Sequence, residues 1–87
     1  MNVVELTNVS RKDSPIYYRQ FYSGTAVLQL IDKTVNAAMD FQVEYKPTGH
    51  IEVNITALDP VDYPLLPLQK EIKQFIWTLA SEGKLPN

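Results

Sequence analysis

The segments VNAAMDFQVEY (Val35–Tyr45) and IEVNITA (Ile51–Ala57), joined by KPTGH (Lys46–His50), decide how this chain folds. Val35, Ala37, Met39, Phe41, Val43 and Tyr45 are apolar, as are Ile51, Val53, Ile55 and Ala57, whereas nearly every residue between them is polar. An apolar side chain at every second position marks a strand with one buried and one solvated face. The connector fits a three-residue hairpin loop, in which a type I turn takes Pro47 first and a left-handed residue, Gly49, third. With Lys46 opposite His50, that turn sets Tyr45 against Ile51, Val43 against Val53, Phe41 against Ile55 and Met39 against Ala57. Turn chemistry and apolar pattern thus agree on one core-facing side.

Working back toward the N-terminus, the aromatic and β-branched run Ile16–Tyr22 predicts a strand, Ser23-Gly24 a tight turn, and Thr25–Ile31 the returning strand. A two-residue turn at Asp32-Lys33 then sets Leu30 against Val35, Leu28 against Ala37 and Ala26 against Met39, which continues the apolar face. Residues 1–14 read as an extended arm, or a short strand at Val3–Leu6 followed by a polar loop from Ser10 to Ser14.

Working forward, Pro60 and Pro64 end the last strand, because proline donates no ladder hydrogen bond. Pro67 suits the first helical position, and Leu68, Ile72, Phe75, Ile76 and Leu79 recur at spacings of three and four, the stripe of an amphipathic helix. Gly83 is a natural stop. The expectation is one α+β domain over residues 1–87, with an antiparallel four-stranded meander over 15–58, an optional fifth N-terminal strand, and a helix over 67–82 packed on one sheet face, (β)ββββα.

Composition narrows function by exclusion. Eight basic and ten acidic residues leave a net charge of -2, which gives no global attraction to phosphate. The absence of cysteine removes disulfides, thiolate metal sites and thiol nucleophiles, and a single histidine leaves little for acid–base chemistry. No catalytic residue, metal or cofactor is expected. No apolar run reaches the ~18–20 residues of a membrane span, and no basic-then-apolar leader opens the chain, so a soluble cytoplasmic protein is expected.

What remains after the core is built is uneven. The long hairpin turns Asn36, Asp40, Gln42, Glu44, Glu52 and Asn54 outward, a solvated face. The preceding segment leaves out either Tyr17, Arg19 and Phe21 or Ile16, Tyr18 and Tyr22, together with Val27 and Ile31; on the helix, Leu66 and Trp77 lie off the main stripe among Lys70 and Lys73. Aromatic residues and arginine concentrate at interface cores, and a two-fold dimer buries one patch twice. Tyr17, Tyr18, Arg19, Phe21, Tyr22, Val27, Ile31, Leu66 and Trp77 are therefore the candidate contact residues of a non-enzymatic, self-associating or partner-binding module.

The alternative is a single-strand nucleic-acid binder that stacks bases on the same aromatics beside Arg11, Lys12 and Arg19. The ββββα order is similar to that of single-strand-binding sheet modules such as the PUR repeat, in element order alone. Two weaker features read structurally: Glu44 faces Glu52 with Lys46 and His50 as the next pair, and Pro64-Leu65-Leu66-Pro67 has PxxP spacing beside a helix start.

Overall fold

The computed structural model describes residues 1–14 and 16–86, which form β1 (Asn2–Lys12), β2 (Arg19–Gln29), β3 (Thr34–Tyr45), β4 (Ile51–Leu58) and α1 (Leu65–Ser81). The strands make one antiparallel meander in the order β1-β2-β3-β4, with α1 across one face. Pro15, at the start of the expected sheet, lies outside the described residues.

The β3–β4 hairpin forms as its turn chemistry requires. Gly49 sits at φ +86°, its N–H donates to the Lys46 carbonyl at 2.9 Å, and Lys46 and His50 are joined at 2.9 Å. Tyr45 faces Ile51, Val43 faces Val53 and Phe41 faces Ile55. Beyond Phe41 the register changes: Asp40 faces Ala57 and Met39 faces Leu58, not Ala57. Thr56 is the extra residue of a β-bulge, which moves Ala57 to the outer side and hands its core position to Leu58.

Two expectations about the N-terminal half are corrected. Ser23-Gly24 is no turn; β2 runs straight through it, and the fourth strand is the N-terminal segment β1, an edge strand of 11 residues rather than a loose arm. Gly24 serves a non-local need. Opposite it, β1 bulges through Asn8 and Val9, with Asn8 in the left-handed region at φ 53°, and a Cβ on Gly24 would stand 3.1 Å from Val9 Cγ2.

The second correction is one of register. The Leu30 N–H donates to the Lys33 carbonyl at 2.8 Å, so the turn spans Ile31-Asp32, one residue earlier than expected. Leu28 therefore faces Val35, Ala26 faces Ala37 and Gly24 faces Met39. The slip is by two residues, so every side chain keeps its face. Thr34 Oγ1 donates to Gln29 Oε1 at 2.7 Å across the last pair of this hairpin.

The core joins Tyr22, Ala26 and Leu28 of β2, the odd positions Ala37 to Val43 of β3 and Val53 of β4 with Leu68, Ile72, Ile76 and Ala80 of α1. Tyr22 stacks on Phe41 with ring centroids 5.1 Å apart, and its hydroxyl donates to Gln20 Oε1 at 2.6 Å. Burial, then the neighbouring Tyr45, pushes the Tyr22 phenol above its ordinary range. Each fully buried Leu or Ile contributes about 1.5–3 kcal/mol of transfer free energy, so the three large helix residues anchor α1 to the sheet.

The helix starts at Leu65, two residues ahead of Pro67. Its first hydrogen bond runs from the Leu68 N–H to the Pro64 carbonyl at 3.1 Å, so Pro67 lies in the first turn, where no donor is needed. No side chain caps this end; Asp59 instead accepts the Ala38 N–H at 3.2 Å. Gly83, at φ +69°, closes the other end, with Gly83 N–H to Ala80 and Lys84 N–H to Leu79, a Schellman motif.

These two glycine roles separate experimentally. Gly24→Ala should destabilise the chain by about 1–3 kcal/mol in urea unfolding through overpacking, and Val9→Ala should relieve much of that loss in the double variant. Gly49→Val should cost about 1–2 kcal/mol through left-handed strain alone, and Val9→Ala should leave that loss unchanged.

Candidate functional site

The structure divides the candidate residues among four places. Tyr22 is in the core, 1% exposed, and is lost as a contact residue. Ile31 is 99% exposed because it sits at the tip of the β2–β3 turn, not on the sheet face where the expected register put it. Tyr17 and Tyr18 lie in the turn ahead of β2, their rings 5.7 Å apart at 88°, and the Tyr18 carbonyl accepts the Tyr45 N–H at 2.8 Å. Arg19, Phe21 and Val27 share the outer sheet face, each partly buried.

That outer face is laced with ion pairs. Arg19 Nη2 donates to Glu44 Oε1 at 3.1 Å, Lys12 Nζ stands 3.2 Å from Asp40 Oδ1, and Lys46 Nζ 2.8 Å from Glu52 Oε2. Ser23 Oγ donates to Asp40 at 2.8 Å and Asn54 Nδ2 to Glu52 at 3.3 Å. Glu44 does face Glu52, and each carboxylate has its own cation, so the like charges are separately neutralised.

The hydrogen bond from Ser23, then that from Lys12, holds the Asp40 carboxyl below its ordinary range; Lys46, then Asn54, does the same for Glu52. Among the described residues no group of three His, Asp or Glu side chains is placed to hold a metal ion.

The fourth place is the flank of α1 beside β4. Leu66, Lys70, Lys73 and Trp77 follow one another at helical spacing, and with Val53, Gln69 and Gln74 they line an open groove of about 390 Å³. Leu66 is 77% and Trp77 43% exposed, the largest apolar side chains on that flank. Neither Lys70 nor Lys73 joins an ion pair among the described residues.

The sequence singled out Leu66 and Trp77 by their angle from the buried stripe. It missed Val53 as the floor of the groove, because its alternation assigns Val53 simply to the core; only the position of β4 at the sheet edge leaves it accessible from the side.

Residues 1–81 match the model of a protein family that carries a serial label of the BB series and no activity in its description, and the chain belongs to that family. Comparison with curated proteins and with solved structures finds no match. The helix α1 is not long and apolar enough to cross a membrane.

The ion-paired face has a pH signature. A carboxyl whose folded pKa lies below its unfolded value adds stability above the unfolded value, near 3.8 for Asp40, and loses it as pH falls through the folded one. Asp40→Asn should therefore lower the urea midpoint at pH 7, and the difference from the wild type should shrink toward zero by about pH 2, when both states of the carboxyl are protonated.

Proposed function

We propose that the chain is a small non-enzymatic protein-interaction module that self-associates as a homodimer, and that its contact surface is the Leu66–Trp77 flank of α1 beside β4. The observation that carries this reading is the half-exposed Trp77 in a groove whose floor is the core residue Val53. Tryptophan dominates interface energetics because its large apolar body gains most from leaving water. The outer sheet face gives less support. Tyr22 and Ile31 no longer contribute to it, and its cations are engaged by carboxylates.

The single-strand nucleic-acid reading draws on Tyr17, 88% exposed and edge-on to Tyr18, with Phe21 farther along the sheet. Phosphates would have to displace Glu44 from Arg19 and Asp40 from Lys12. A salt series separates the readings, since phosphate contacts make affinity fall steeply with ionic strength.

Trp77 is the sole tryptophan and reports on its own surface. On raising the concentration into the micromolar range its emission should shift to shorter wavelength, while light scattering moves from the 9.9 kDa of one chain to about 20 kDa. Leu66→Ser should leave the unfolding free energy within about 0.5 kcal/mol and weaken association about tenfold or more. A 10 kDa species with concentration-independent emission would refute the reading.

A further inference from the structure

The sheet has two open edges, and they differ. The β1 edge is broken by register shifts between Val3 and Glu5 and between Thr7 and Ser10, with Asn8 in the left-handed region. Bulges of this kind stop an edge from serving as a template. The β4 edge pairs with β3 without any shift from Ile51 to Ile55. The Lys46–His50 hydrogen bond fixes the alternation there: His50, Glu52 and Asn54 bond to β3, and the amides and carbonyls of Ile51, Val53 and Ile55 point away from the sheet. The strand from Ile51 to Leu58 holds neither proline nor lysine, the residues that most often guard an edge.

We infer that two copies of the chain join by pairing β4 with β4 of the second copy, antiparallel about a two-fold axis at Val53, so that two four-stranded sheets become one of eight. The inference rests on the self-association proposed above and specifies how it happens. Val53 is the midpoint of the regular stretch, and centring there is the one two-fold register that pairs all five residues from Ile51 to Ile55.

Charge selects the same register. With Val53 on the axis, Glu52 faces Asn54 of the second copy, a carboxylate against an amide donor, and Ile51 faces Ile55 on the core side. Shifting the axis to Glu52 would set two carboxylates against each other, and shifting it to Asn54 would draw the bulged Thr56 into the ladder. The groove beside Val53 runs under this edge, so the same two-fold brings the Leu66–Trp77 flank of each copy toward the other.

The chain has no cysteine, so introduced ones report cleanly. In the proposed register Glu52 and Asn54 of opposite copies form a non-hydrogen-bonded pair about 4.5 Å apart between Cα atoms, within disulfide reach. The pairs 52–52 and 54–54 are diagonals of about 7–8 Å, beyond it. Mixing Glu52→Cys with Asn54→Cys chains under mild oxidation should give disulfide-linked dimer at least several-fold above either variant alone. On the unmodified chain, the Ile51, Val53 and Ile55 amides should exchange with deuterium at least tenfold more slowly at concentrations where the mass has doubled.

A doubled mass without mixture-specific cross-linking and without that protection would overturn the strand pairing and leave self-association standing. A wild-type chain that stays at about 10 kDa would overturn both.

Discussion

The constraint on which the structure depends is parity. The helix stripe of Leu68, Ile72 and Ile76 can be buried only if β2, β3 and β4 turn the same set of alternate residues toward it. A one-residue slip would exchange Phe41 and Val43 for Gln42 and Glu44, placing a carboxylate under the helix; a two-residue slip changes partners and nothing else. The β2–β3 pairing shows what this tolerance means. Its turn lies one residue earlier than the chain chemistry suggests, Ala26 meets Ala37 instead of Met39, and the core is unaffected in kind. Where β4 does gain a residue, at Thr56, the bulge lies past the last large core pair and restores Leu58 to the inner side.

Parity also explains which parts of the fold were legible in the sequence. The β3–β4 hairpin and the helix declare themselves locally: alternation, a Pro-Thr-Gly loop, spacings of three and four. The N-terminal strand does not, because its core-facing residues Val3, Leu6 and Val9 recur at three, the result of two bulges each adding a residue to a period of two. No local pattern separates that from a loop or a helical fragment. Gly24 misled for a related reason. Glycine after serine between apolar runs is a hairpin signal in isolation, but here it is a missing side chain that admits Val9 from a strand some 15 residues away in sequence.

The same division runs through the candidate surface. The sequence ranked the aromatics near β2 first because they are clustered, and clustering in sequence says little about a strand, where neighbours face opposite ways. Tyr22 turns inward against Phe41 while Phe21 turns outward between Lys12 and Gln42. Arg19 and Lys12 were counted as free cations, but Glu44 and Asp40 lie across the strands from them, and that pairing follows from register alone. Leu66 and Trp77 survive as exposed residues because helical periodicity is fixed by the backbone, so their angle from the buried stripe could be read without a structure.

A half-exposed tryptophan in a chain of 87 residues raises the question of how the free molecule tolerates it. Lys70 and Lys73 lie between Leu66 and Trp77 on the groove wall, and lysine stems cover apolar surface while their ammonium groups stay in water. Such cover is reversible, because an exposed lysine stem gives up little packing when it swings aside. The flank can therefore remain in solvent without driving unspecific collapse and still present Trp77 when a partner displaces the stems. An edge that is regular only from Ile51 to Ile55 complements this: it is long enough to register a partner and short enough to limit templating of longer assemblies, while the bulged β1 edge offers no second regular side for growth. Together they favour closed pairing over open polymerisation.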